Sequence, residues 1–266
     1  LREHPRVDDA AVRLKLSVSG VTLADYKGMA AKFPEFEPEK GIPAPKTEGD
    51  VIPVAPGPVR MRLSWLTKDI DGILGQRWFG DRVWTLDYPG HKLTYHPDGK
   101  APKSDKAHRL DLGFRKNDKG QRATHYPRVE VTVAGQTLDV LLATGSSVAV
   151  TAEALKVINE GGPAIRATSL ISNSIFDQWK KDHPDWRVVP NAEEGSGEPM
   201  ILVPEVTIAG YTVGQVWFTQ RPDNNFSEHF SNWMDKPVVG AIGGNVLNGF
   251  RVVLDYPGAV AWLERP

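Results

Sequence analysis

Apolar and polar residues alternate along much of this chain with a period of two, the spacing of a half-buried strand. The alternation is sharpest in three stretches built alike: Leu16-Ser17-Val18-Ser19-Gly20-Val21-Thr22-Leu23, Val131-Thr132-Val133-Ala134-Gly135-Gln136-Thr137-Leu138 and Val206-Thr207-Ile208-Ala209-Gly210-Tyr211-Thr212-Val213. In each, a small residue and a glycine separate two runs rich in β-branched residues, which predicts a hairpin with a tight turn. Helical spacing is confined to two stretches. One is capped by Thr151, runs from Ala152 to Ile158 and stops near Gly161; the other runs from Asn173 to Lys181, carries Ile175, Phe176 and Trp179, and ends before Pro184. The chain is therefore expected to be mainly β.

A longer pattern occurs twice. Gly72-Ile73-Leu74-Gly75-Gln76-Arg77-Trp78-Phe79 leads into Val83-Trp84-Thr85-Leu86-Asp87-Tyr88-Pro89-Gly90, and Gly240-Ala241-Ile242-Gly243-Gly244-Asn245-Val246-Leu247 leads into Val252-Val253-Leu254-Asp255-Tyr256-Pro257-Gly258. Gly75 and Gly243 stand 168 residues apart, and so do Asp87 and Asp255. A lone apolar-apolar-glycine is an ordinary strand end, but a gapless duplicate places the two segments at equivalent positions in two related lobes. Asp87 and Asp255 are read as turn or capping residues before their Tyr-Pro-Gly turns.

The lobes are unequal. Gly210 precedes Gly243 by 33 residues and Gly135 precedes it by 108, whereas Gly20 precedes Gly75 by only 55. The first hairpin thus corresponds to the third, and the front lobe holds only its later half. Its excess of 22 residues over the matching interval falls in Glu37 to Arg60, where Pro38, Pro43, Pro45, Pro53, Pro56 and Pro58 punctuate an irregular insertion. The organisation is read as a partial N-terminal lobe over 1–99 with its Pro-rich insertion at 37–60, a connector and hairpin over 100–125 with a turn at Asn117-Asp118-Lys119-Gly120, and a complete C-terminal lobe over 126–266.

Charge narrows the partners. With 32 basic and 33 acidic residues the net charge is −1, which gives no footprint for nucleic acid or an anionic membrane. No apolar run reaches the roughly 18 residues of a membrane helix. There is no cysteine, which removes disulfides, thiolate catalysis and cysteine-ligated zinc. His4, His91, His96, His108, His125, His183 and His229 are scattered without metal-ligand spacing, and no phosphate-cradling glycine loop appears, so no metal and no cofactor is expected. The eight tryptophans are read mainly as core packing. The first residue is Leu1, which points to a processed or truncated chain, and a periplasmic or secreted location is expected.

Chemistry concentrates at Leu138-Asp139-Val140-Leu141-Leu142-Ala143-Thr144-Gly145-Ser146-Ser147-Val148, a strand running into a tight loop of small residues. This segment resembles the Asp-Thr-Gly-Ser active-site loop of pepsin-like and retropepsin-like aspartic peptidases, with Ala143 at the position of the catalytic aspartate. The later Ala241-Ile242-Gly243 resembles the apolar-apolar-glycine segment that follows that loop in the same lobe, and Ile73-Leu74-Gly75 is its counterpart in the front lobe. The resemblance covers Pro127 to the C-terminus well and Val12 to Gly90 in part. It implies a two-lobed acid-protease fold, incomplete at the front, and an aspartic endopeptidase by descent. Thr144 would be the threonine that grips the opposite loop, Gly145 the site of close backbone approach, and Ser146 the hydroxyl that supports the carboxylate.

The family mechanism uses one aspartate from each lobe, and this chain has neither an Asp-Thr-Gly nor an Asp-Ser-Gly. An alanine neither accepts nor donates a proton, so the chain as it stands is expected to be inactive. Retention of Thr144, Gly145, Ser146 and Ser147 favours an engineered inactivation over a natural pseudo-enzyme. The implied partners are a peptide or protein substrate and a complementary N-terminal fragment, second chain or homodimer mate that supplies the other loop. The alternative is a non-catalytic protein of the same fold that binds peptides or inhibits.

Overall fold

The computed structural model describes residues 30–32, 51–53, 76–158 and 162–266. Two compact units divide the chain at Gly80 and Asp81. In the first, β1 (Ala30–Lys32) pairs antiparallel with β2 (Val51–Pro53), with Ala31 opposite Ile52, and a short helix spans Gln76–Phe79. The first expected hairpin, the Ile73-Leu74-Gly75 segment and, β2 excepted, the Pro-rich insertion lie outside the described residues.

The second unit is mainly β and is organised as a barrel joined to an open sheet. β6 (Arg128–Val133) and β7 (Gln136–Leu142) form one hairpin, and β12 (Met200–Ile208) and β13 (Tyr211–Arg221) form another. Both turn on a pair of left-handed residues, Ala134 with Gly135 and Ala209 with Gly210, the conformation that matches the twist of the flanking strands. β10 (Ser169–Ser172) lies between β13, to which it is parallel, and β14 (Gly240–Ile242). β14 in turn runs parallel to β7, and β6 returns to β12 through Val133–Val206 and Thr132–Thr207, closing a ring of six strands. Alternate residues fill the ring: Val129, Val131 and Val133 from β6, and Leu138, Val140 and Leu142 from β7, are all buried. Helices Ala152–Ile158 and Asn173–Asp182 follow the expected spacing, and the Thr151 hydroxyl accepts from the Ala154 amide at the head of the first. The core also takes Trp84, Trp179 and Trp217.

The open sheet carries the duplication. β3 (Val83–Asp87) pairs antiparallel with β15 (Arg251–Asp255), and Thr85 lies opposite Val253, its own counterpart 168 residues on. The flanking pairs exchange under the same shift, since Trp84 faces Leu254 and Leu86 faces Val252. That register is the one a local two-fold axis between Thr85 and Val253 generates. β4 (Lys92–His96) and β16 (Val260–Glu264) lie outside this pair and are themselves 168 residues apart, as are the helices Gln76–Phe79 and Gly244–Leu247. β5 (Arg109–Asp111) completes the order β4-β3-β15-β16-β5.

The turns are duplicated to the same detail. Asp87 accepts from the Gly90 amide at 2.9 Å and Asp255 from the Gly258 amide at 2.8 Å, which is the turn role expected of both. His91 and Ala259 both take positive φ, and the Tyr88 amide reaches the Phe250 carbonyl as the Tyr256 amide reaches that of Arg82. Burial pushes the Tyr88 phenol up to about 12 and raises that of Tyr256 further.

One charge breaks the symmetry. Arg251 pairs across the strands with Asp87 at 3.1 Å, whereas the residue opposite Asp255 is Val83. The Gly90 amide first, and then Arg251, hold the Asp87 carboxyl below the usual carboxylate range. A lowered folded pKa contributes stability above the unfolded value that is lost as pH falls through the folded one. Asp87→Ala is therefore expected to lower Tm more than Asp255→Ala at neutral pH and low salt. Thermal melts should show the difference shrinking in high salt and on acidification below the ordinary carboxylate pKa.

Candidate functional site

The loop Ala143-Thr144-Gly145-Ser146 leaves the end of β7 and enters β8 (Ser147–Ala149) through a single turn closed by the Ser146 amide on the Ala143 carbonyl at 3.0 Å. Its position is fixed from two sides. The Ala143 amide donates to the Ile242 carbonyl at 2.8 Å, extending the parallel β7–β14 pair by one bond, and the Thr168 amide donates to the Ser146 carbonyl at 3.2 Å. Thus the structure brings Ala143, Ser146, Ala241, Ile242 and Gly243 together. Ala241 and Ile242 are fully buried beneath the loop.

Gly243 is the tightest point. A Cβ there would collide with the Thr168 carbonyl oxygen, lie 2.8 Å from its carbon and stand 3.3 Å from Ser146 Cβ. Behind it runs a polar chain that sequence reasoning missed. The Gly243 amide donates to Ser169 Oγ at 3.1 Å, Ser169 Oγ donates to Asn245 Oδ1 at 2.8 Å, and Asn245 Nδ2 donates to the Trp217 carbonyl at 2.8 Å. Thr168 Oγ1 donates to the Ser169 carbonyl and meets Thr219 Oγ1 at 2.9 Å, with both threonines fully buried. Asn245 stood out as part of the duplicated glycine motif. Thr168, Ser169 and Thr219 carry no signal, because hydroxyl residues in an alternating strand read as its outer face.

The loop residues differ in exposure. Thr144 and Gly145 are exposed, and a Cβ on Gly145 would meet nothing within 4 Å. The buried gripping role expected of Thr144 is therefore not seen: no opposing loop lies against it among the described residues. Ala143 is half-buried and packs with Tyr126, Leu170 and Phe230 against a core of Leu141, Phe226, Met234, Val238 and Ala241. Ser146 Oγ is buried and has no hydrogen-bond partner among the described residues. As it stands the loop has hydroxyls at Thr144 and Ser146 but no carboxylate to act as an acid or base near neutral pH. Among the described residues no cluster of three or more His, Asp or Glu could hold a metal.

The strands bearing the loop are tied down by one guanidinium. Arg128, 8% exposed, donates bidentately to Asp235 at 2.8 and 3.0 Å and to Asp139 on β7, whose carbonyl accepts from the Val239 amide just before β14. Asp235 raises the Arg128 pKa; partial burial works against ionisation of Asp235, yet its bonds to Arg128 leave its pKa lowered overall.

No family model matches this chain, and no curated protein does. Among solved structures, a retropepsin-like aspartic protease from Rickettsia conorii is similar at 12% identity with a TM-score of 0.31, over 58% of this chain and 92% of that one. At that level the likeness carries no argument about the site, which stands on the geometry above.

Two substitutions separate packing from chemistry here. Gly243→Ala should cost about 3 kcal/mol or more, because the obstacle is backbone, while Gly145→Ala should be nearly neutral by urea denaturation. Arg128→Met strands two carboxylates and should cost about 3 kcal/mol at pH 7. The Asp235 part of that cost is present above the unfolded carboxylate pKa and is lost as pH falls through the lowered folded value, so denaturation curves of parent and variant should converge in acid.

Proposed function

We propose that the chain is an aspartic endopeptidase whose acid–base position, residue 143, has lost its carboxylate, leaving the site assembled but inert. The observation that carries this reading is the buried, partnerless hydroxyl of Ser146, one turn from Ala143 in a loop held at both ends. A buried hydroxyl without a partner costs roughly 1–3 kcal/mol, and a carboxylate at residue 143 would supply the missing acceptor. The exposure of Thr144 and Gly145 supports a second loop from a complementary fragment, another chain or a homodimer mate.

In the restored site, the carboxylate at residue 143 and one from the partner loop share a proton, because like charges that close do not both ionise. The ionised carboxylate takes a proton from a water as its oxygen attacks the peptide carbonyl, and the other carboxyl protonates the carbonyl oxygen. Proton transfer to the amide nitrogen then releases the new amine and carboxylic acid. No resident metal or cofactor is needed for these steps.

A second reading has its own support. The Ala143 methyl packs into an apolar cluster beside the part-exposed Tyr126 and Phe230, and such a surface suits a protein that binds peptides without cutting them.

The test is Ala143→Asp, assayed against a peptide mixture from acidic to neutral pH, over a wide range of protein concentration and with the complementary segment added. The parent should cleave nothing. The variant should cleave with a rate governed by one shared proton, and a hydroxyl-bearing transition-state mimic should block it. If the assembled variant cleaves nothing yet binds peptides with the parent's affinity, the binding reading replaces the peptidase one.

A further inference from the structure

The duplicated Tyr-Pro-Gly turns match in backbone, yet their tyrosine rings face different surroundings. The Tyr88 amide donates to the Phe250 carbonyl at 3.2 Å, just beyond the helix Gly244–Leu247. Its ring lies at the other end of that helix: a Cβ on Gly244 would stand 3.9 Å from Tyr88 Cε1, 3.8 Å from the Thr144 carbonyl oxygen and 3.2 Å from Ala167 Cβ. Tyr88, the loop and the residue before Thr168 thus converge on one buried glycine. Tyr256, 168 residues on, is the more buried of the two tyrosines at 3% exposed, but its ring meets Phe114 at 5.7 Å and its carbonyl accepts from Arg122.

We propose that Tyr88 is a positioning residue for the loop at residues 143–146, its ring confining Gly244 and so the backbone on which the loop rests. Two consecutive glycines are the least restrained backbone that could lie beneath a fixed loop. At Gly243 the Thr168 carbonyl removes that freedom; at Gly244 the Tyr88 ring and Ala167 remove it. The contact is packing and not charge, because a phenol pushed up to about 12 by burial is neutral at physiological pH. A turn of the first copy thereby steadies a loop that leans on the second. Calling the loop a site rests on the proposed reading of residue 143, whereas the contact does not. An inert Ala143→Asp variant leaves the contact standing, and a loop indifferent to Tyr88 leaves the peptidase reading standing.

The test is amide hydrogen exchange on the full chain. The reporters are the Ala143 amide, bonded to the Ile242 carbonyl, and the Thr168 amide, bonded to the Ser146 carbonyl; the Leu202 amide on the Arg187 carbonyl is the control. Tyr88→Ala is expected to speed exchange at both reporters by about tenfold more than at Leu202, the mark of a local opening. Tyr88→Phe keeps the ring and should keep the parent's rates, and Tyr256→Ala should leave the ratio of reporters to control unchanged. Reporters that merely follow Leu202 in Tyr88→Ala overturn the proposal, as does an equal response to Tyr256→Ala or a Tyr88→Phe variant that behaves like Tyr88→Ala. Should Tyr88→Ala fail to fold, Tyr88→Leu, which keeps an apolar side chain without the ring edge, is read in its place. In the unaltered chain, a nuclear Overhauser contact between the Tyr88 ring protons and the Gly244 α-protons is expected, and its absence also overturns the proposal.

Discussion

The contact between Gly243 and the Thr168 carbonyl decides how the rest of the site is built. It brings the end of β14 to within backbone distance of the segment leading into β10, leaving no room for even a methyl group. With that approach made, the Gly243 amide can reach Ser169, and Asn245 can span from Ser169 to Trp217. The same approach puts the Ile242 carbonyl where the Ala143 amide finds it. A larger residue at 243 would separate β14 from β10 and take with it the seat of the loop. The buried hydroxyls around it are tolerable because nearly all are satisfied by one another, which is the condition under which a polar network in a core adds order and not cost.

The ion cluster at Arg128 works at the other end of the same strands. Asp139 is bonded through its side chain to Arg128 and through its carbonyl to Val239, so the guanidinium fixes β7 and the approach to β14 together. Arg128 hydrogen-bonds through three of its nitrogens to Asp235 and Asp139, and a third carboxylate, Glu130, lies 3.5 Å from it. A charge buried to this depth is held only because its partners are aligned with it, and this alignment in turn restricts how β7 and β14 slide past each other. Loop geometry at residue 143 is thus set by a glycine contact on one side and an ion cluster on the other, neither of which involves the side chain at 143.

Much of the architecture was legible because it depends on short-range rules. The turns at Ala134-Gly135 and Ala209-Gly210, the Thr151 cap and the roles of Asp87 and Asp255 follow from local backbone chemistry. The 168-residue duplication was legible as sequence, yet its meaning in space was not. Equal spacing says that Thr85 and Val253 are equivalent; it does not say that they face each other across one strand pair. Thr168, Ser169, Thr219 and Arg128 escaped notice for a related reason. Each owes its role to a partner between 51 and 107 residues away, and a strand pattern records which face a residue takes but not what it meets there. Thr144 is exposed among the described residues, and the gripping role expected of it depends on a second loop that these residues do not include.

Symmetry in the open sheet and asymmetry in the barrel together explain why the fold does not depend on the side chain at residue 143. The sheet is held by paired backbone and by turns that each copy makes for itself, and the barrel closes through β6 and β12 without help from the loop. The residues that would serve catalysis add little to either. Thr144 and Gly145 are exposed, and among the described residues Ser146 Oγ is left with an unmet hydrogen bond. An unmet bond of this kind weakens the folded state, so selection on stability alone would favour alanine over serine at 146. The hydroxyl of Ser146 is thus a cost that packing alone does not explain, one turn from Ala143 in a loop whose frame is held from outside.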